Sequence, residues 1–377
     1  MCQLALGHYF LNTGLDAVDV WHDTEAFAVA LVTLQRRYGF DGILVNLPGR
    51  DPQWRRHVRE VVPDGEGNRV IKWNDGRTTV VPPDDNPHVR TADGETFRVP
   101  LQEVVPDRLF YVEPHDLSGV TYPHRWSFGG ERGPAEGPEF FPPWHLDTLR
   151  AVRVRAGPDV SVHGELLSPF TQLLELVGYT EALLALVLDP GRVTAVLERL
   201  AEGTACLGRM YAGEDIDAVL VSSAFVGGGF ISRAHYEVFE APWLSRVVAA
   251  IKSEREDLPV YVHTCGAIGD RLDLMEATGV NGIDTLDPPP IGTVDLAEAL
   301  EFLGKRVFIK GNVDPVNTVL RGTPDDVRRE ALDRLRVAAP GGAYVLSTAC
   351  SVPPAAPPDN VLALVDAVDE YVESVNR

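Results

Sequence analysis

Cysteine is scarce in this chain of 377 residues, with four copies at positions 2, 206, 265 and 350. So few, so far apart, cannot frame a disulfide-stapled fold; they suit a reducing compartment, where cysteines that meet serve a metal or catalysis. Long apolar runs are missing too. None reaches the ~18 uninterrupted residues that a membrane-spanning helix requires. The opening stretch MCQLALGHYFLNTGLDAVD has neither the basic start nor the small-residue cleavage site of a secretory signal. Positive charge is the third shortage: 34 Lys and Arg face 55 Asp and Glu, leaving a net charge of −21. Such a surface repels nucleic acid and anionic membranes. Internal repeats and low-complexity segments are lacking as well. The expectation is a soluble, cytoplasmic protein with no nucleic-acid or membrane partner.

What is present is an alternation of short apolar runs and longer helical patterns, the mark of a parallel sheet wrapped by helices. The strand-like runs are DGILVNL (41–47), VSVHGEL (160–166), AVLVSSAF (218–225), PVYVHTCG (259–266), GIDTL (282–286), RVFIKGNV (306–313) and AYVLSTAC (343–350). A weaker run, DRLFYV (107–112), makes a possible eighth. Eight suit a closed (β/α)8 TIM barrel in the α/β class. Asp189-Pro190 reads as an N-cap followed by proline at N1, opening a helix with Val193, Val196, Leu197 and Leu200 at helical spacing. The expected organisation is one barrel domain over 1–377, with an elaborated part over 1–150 and the main barrel over 151–377. Within the first part, Asn74-Asp75-Gly76 predicts a tight turn in a hairpin over 70–81. The stretch 113–145, rich in Pro, Gly and aromatics, is long enough to serve as a lid.

Residues i and i+2 of a strand point to one face, so His263 and Cys265 project together near the C-terminal end of their strand. Cys350 occupies the same place on another strand. Barrel active sites are built from such strand ends and the loops that follow. Two readings stay open on pattern alone: three metal ligands from two strand tops, or three ordinary packed residues, since free cysteines are commonly buried. As ligands, one imidazole and two thiolates favour zinc over the oxygen-seeking magnesium and calcium. Three protein ligands would leave a fourth position open, as in catalytic zinc sites. Cys2 and Cys206 have no ligand-type neighbours and read as structural.

Four segments carry a family resemblance: FISRAHYEVFEAPWLSRVVAAIK (230–252), VYVHTCG (260–266), FIKGNVDP (308–315) and STACSVPPAAPPDNVLALVDAV (347–368). With them, residues 158–375 resemble the uroporphyrinogen decarboxylase superfamily; the first 150 are only loosely similar. His-x-Cys with a distant Cys resembles, within it, the zinc-dependent corrinoid methyltransferase branch, of the methylcobalamin:coenzyme M type. The resemblance implies a zinc ion on His263, Cys265 and Cys350. It also implies a cobalamin carried by a small corrinoid-binding partner protein, and a small-molecule methyl donor or acceptor such as a thiol, folate or methyl ether. One alternative is a cofactor-free decarboxylase of a porphyrinogen-like polycarboxylate, although the arginine-rich N-terminal motif of those enzymes has only NLPGR and WRRH (46–57) as a counterpart. Another is a non-catalytic barrel with a structural zinc.

Further residues fall at strand ends. Glu165 stands where the family carries a small or aromatic residue; it is a candidate catalytic base or fourth zinc ligand, or else a cap for the next helix. Asn312 is a candidate lining residue facing the cofactor. Asp284 and Asp287 are candidates for orienting His263. Asp314, before a proline, predicts an N-cap, and Asp359 or Asn360 is expected to cap the last helix. The triple glycine of SSAFVGGGF (222–230) predicts a mobile loop or a close backbone approach.

Overall fold

Strands are numbered β1 to β11 in chain order in the computed structural model, which describes residues 1–90, 98–113 and 136–377. The seven stronger apolar runs all become strands: β1 (Gly42–Val45), β6 (Ser161–Leu167), β7 (Ala218–Ser222), β8 (Val260–Thr264), β9 (Gly282–Thr285), β10 (Phe308–Val313) and β11 (Tyr344–Thr348). They form one parallel sheet in the order β1-β6-β7-β8-β9-β10-β11. Every residue of β7, β8 and β9 is buried. That is why these runs read as continuously apolar rather than alternating: helices cover one face and the opposite strands the other. The sheet curls on itself, because Leu44 of β1, Leu220 of β7 and Tyr261 of β8 share one apolar cluster, against which Phe308 of β10 packs.

The α/β fold is TIM-barrel-like, but an eighth strand is not formed among the described residues, and the run at 107–112 expected to supply it is not a strand. Residues 106–108 make a single tight turn. Leu109 to Val112 then run buried along helix Pro190–Ala212, with the Val112 N–H donated to Gln172 Oε1 at 3.0 Å. The run is apolar because it packs on helices, not because it joins a sheet. At the β11 edge residues 3–5 pair with Val352 instead: Ala5 N–H donates to its carbonyl at 3.0 Å, and its own N–H donates to Gln3 at 2.8 Å.

The expected hairpin is β3 (Arg69–Trp73) and β4 (Thr78–Val81), joined through Gly76 at φ 89°. It sits inside a four-stranded antiparallel sheet completed by β2 (Val58–Pro63) and β5 (His88–Arg90). Residues 114–135, most of the stretch expected as a lid, lie outside the described residues. Asp189 caps its helix by accepting the Arg192 N–H, and Asp314 accepts the N–H groups of Val316 and Asn317. The final helix, Pro358–Val375, departs from expectation. Pro357 takes the N-cap with no side-chain cap, and buried Asn360 instead donates to the carbonyls of Val319 and Gly322. Two successive prolines already preset the helical turn there, freeing Asn360 to tie the helix to its neighbour.

Candidate metal centre

His263 lies one residue before the end of β8 and is 5% exposed, Cys265 directly follows the strand, and Cys350 follows β11. The fold brings all three together, with one ligand-type atom from each within 4.8 Å of the others. Cys265 Sγ stands 3.2 Å from His263 Nε2 and 3.7 Å from Cys350 Sγ. Both cysteines are free and half-buried. Two thiolates about 2.3 Å from one ion at the tetrahedral angle would stand roughly 3.8 Å apart. The observed separation therefore fits an edge of a zinc tetrahedron and is far too long for a disulfide.

The ring of His263 is held from behind. Its Nδ1 is 3.1 Å from Asp284 Oδ2 and 3.0 Å from Thr285 Oγ1. Asp284 is 2% exposed, and its second oxygen accepts from Lys310 Nζ at 2.8 Å. Burial works against a charge on His263, but the hydrogen bonds to Asp284 and Cys350 outweigh it and raise the imidazole to about 10. The hydrogen bond from Cys265 lowers the Cys350 thiol against the cost of burial, with His263 assisting. The same contact pushes the Cys265 thiol up, and burial adds to it. The three groups thus share their protons, and the imidazole and one thiol each ease negative charge on the neighbouring sulfur. A cation that replaces those protons meets a site already organised around negative sulfur.

The other sequence candidates divide. Asp284 does reach His263, whereas Asp287 accepts the Gly266 N–H at 2.5 Å and so fixes the backbone just after Cys265. Glu165 is not among the three gathered ligand atoms. On β6 it is in register with Leu220 and, through it, with Tyr261, one inward step nearer the strand starts than His263. It does not cap the next helix, because Ser168 does so by accepting the Thr171 N–H. Asn312 is 1% exposed on β10; its Nδ2 donates to the Leu286 carbonyl at 2.9 Å, and its Oδ1 has no partner among the described residues.

Gly227 explains part of the glycine run, since a Cβ there would lie 2.2 Å from the Cys265 carbonyl oxygen. Any side chain would push the loop off the turn that follows β8. Thr285 and Leu286 adopt φ 103° and 45° at the end of β9, a costly backbone for non-glycine residues and one that turns the Thr285 hydroxyl under His263. Neither Thr285 nor Lys310 was singled out by sequence reasoning. The signal for Lys310 was there: a lysine amid the apolar residues of VFIKGNV needs a buried partner.

Comparison with solved structures finds a methyltransferase from Methanosarcina mazei at a TM-score of 0.68, covering 98% of this chain and 92% of that one at 18% identity. That likeness is one of fold. A uroporphyrinogen decarboxylase from Alkalilimnicola ehrlichii is 26% identical over 257 residues, 66% of this chain and 68% of the relative. A methylcobamide:CoM methyltransferase from Methanosarcina barkeri is 27% identical over 226 residues, 60% of this chain and 63% of the relative. The chain thus spans about two thirds of the length of the curated relatives it matches. The family model described as uroporphyrinogen decarboxylase (URO-D) matches residues 136–371, well over half of the sequence, and the chain therefore belongs to the URO-D family.

Proposed function

We propose that the protein is a zinc-dependent methyltransferase, moving a methyl group between a corrinoid on a separate small protein and a small molecule such as a thiol, folate or methyl ether. The observation that carries this reading is the His263–Cys265–Cys350 group, with sulfurs 3.7 Å apart at the C-terminal end of a curled parallel sheet. A zinc ion there would supply a Lewis acid with one open position, able to keep a bound thiol as thiolate or to polarise an ether oxygen. The chain's own groups do the rest. Asp284 and Thr285 hold the imidazole, Asp287 holds the turn at Gly266, and Gly227 lets the loop after β7 close over Cys265. In this reading Glu165 is the base that handles the substrate proton, and Asn312 Oδ1 is an acceptor facing the cofactor side.

The decarboxylase reading has the family match and the Alkalilimnicola relative in its favour. A polycarboxylate, however, needs cations to anchor it. In NLPGR and WRRH, Arg50 donates to the Trp21 carbonyl, Arg55 pairs with Asp19 and Arg56 binds Gln53. These three are engaged within the protein.

Metal analysis of the purified protein tests the reading. Wild type is expected to hold about one equivalent of zinc, and Cys265→Ser and Cys350→Ser to lose most of it. Mixing the loaded protein with methylcobalamin and candidate thiols, folate or methyl ethers should then change the cobalamin absorbance. A zinc-free wild type, or uroporphyrinogen turnover with no effect on cobalamin, would sink the proposal.

A further inference from the structure

Behind His263 the sheet holds a buried cation that metal ligation alone does not require. Lys310 lies in the middle of β10 and is 3% exposed. Its Nζ is 2.8 Å from Asp284 Oδ1 and 3.1 Å from Ser347 Oγ. Lys310 is in register with Asp284 on β9, and Asp284 in turn with His263 on β8. The three residues therefore lie side by side across three neighbouring strands of the sheet. An apolar side chain would fill the position in β10 without the desolvation that an ammonium incurs.

We propose that Lys310 is a positioning residue for the metal centre, acting through Asp284. By holding Oδ1 it fixes the rotamer of the carboxylate whose Oδ2 receives Nδ1–H of His263. That leaves Nε2, the nitrogen 3.2 Å from Cys265 Sγ, as the ligand atom. The carboxylate matters because it only accepts, whereas Thr285 Oγ1, also beside Nδ1 at 3.0 Å, can donate or accept and fixes no tautomer. An ammonium, which only donates, keeps Asp284 in the accepting role. Partners one step behind a metal-bound histidine commonly control affinity in this way. Lys310 lies one step further back still.

The inference rests on the metal reading above, and its test separates the two. Zinc dissociation constants are measured by competition with a chromophoric chelator for the full chain, for Lys310→Met, for Asp284→Asn and for the double variant. Lys310→Met is expected to bind zinc about 10-fold or more weakly. The double variant should be no weaker than Asp284→Asn alone, because the lysine acts only through that carboxylate. The cobalt(II)-substituted Lys310→Met protein should show shifted ligand-field bands, which a merely space-filling lysine would leave alone. If Lys310→Met does not fold, Lys310→Gln and Ser347→Ala carry the same comparison, with few-fold losses that vanish in the Asp284→Asn background. Wild-type affinity and bands in these variants, or losses that multiply in the double variant, overturn the inference alone. Failure of wild type to take up zinc overturns the metal reading and the inference together.

Discussion

Glu240 joins helices Arg233–Phe239 and Ala241–Glu254 at a point sealed from solvent. Ser223 Oγ donates to its Oε1 at 2.5 Å, and its Oε2 has no partner among the described residues. Burial pushes this carboxyl up from 4.5 to about 7, only partly offset by the Ser223 hydrogen bond. The folded chain keeps a proton that the unfolded chain releases above 4.5, so stability falls as pH rises from about 4.5 to 7 and stays reduced above. The whole interval corresponds to roughly 3 kcal/mol. Glu240→Gln should therefore match wild type near pH 4 and exceed it by about 1–3 kcal/mol near pH 8, measured by urea unfolding at both pH values. Parallel pH profiles for the two proteins would mean that the buried carboxyl does not titrate in this range.

At the scale of elements, one tight join is between helix Pro190–Ala212 and the extended segment before residue 113. A Cβ on Gly203 would lie 1.8 Å from the Phe110 carbonyl oxygen. Helix propensity alone favours Gly203→Ala by about 1 kcal/mol. The neighbour, however, is backbone and cannot swing away like a side chain, and overpacking of this kind costs about 1–3 kcal/mol. Gly203→Ala is expected to lower the thermal midpoint. Gly191→Ala, in the same helix with nothing within 4 Å, should leave it level or raise it. A rise in both variants would show the segment free to move off the helix. This join also explains what the sequence hid. The helix could be read from Asp189-Pro190 and its apolar spacing, but residues 107–112 read as a strand, since a short apolar run looks alike beside a strand or beside a helix. β2 and β5 escaped notice for the opposite reason. VREVVP and HVR are half-exposed and charged, with no clean alternation to mark them.

For the whole molecule, the shared face of His263 and Cys265 was legible because a two-residue period and a strand end are local facts, whereas pattern alone left open whether Cys350 joins them and the family resemblance supplied it. That Lys310 stands behind Asp284 was not legible, because it depends on the register of three strands. The same distribution sets a global prediction. His263 belongs to β8 and Cys265 directly follows it, while Cys350 lies 85 positions beyond Cys265, past the last strand of the sheet. A metal bound to all three ties β8 to the far edge of the sheet, and binding confined to the folded state adds RT ln(1 + [L]/Kd) to stability. At free zinc a thousand times Kd this is about 4 kcal/mol, less whatever the unfolded thiols retain. Zinc should raise the thermal midpoint by several degrees, and a strong chelator should reverse the rise. Cys265→Ser and Cys350→Ser should lose most of this response. Cys206→Ser, buried in helix Pro190–Ala212 away from the trio, should melt lower yet respond to zinc as wild type does. The contrast between these variants is the deciding measurement, because a general effect of zinc on surface carboxylates would shift all of them alike. Equal shifts in Cys350→Ser and wild type would therefore remove the clip across the sheet from the account of this fold.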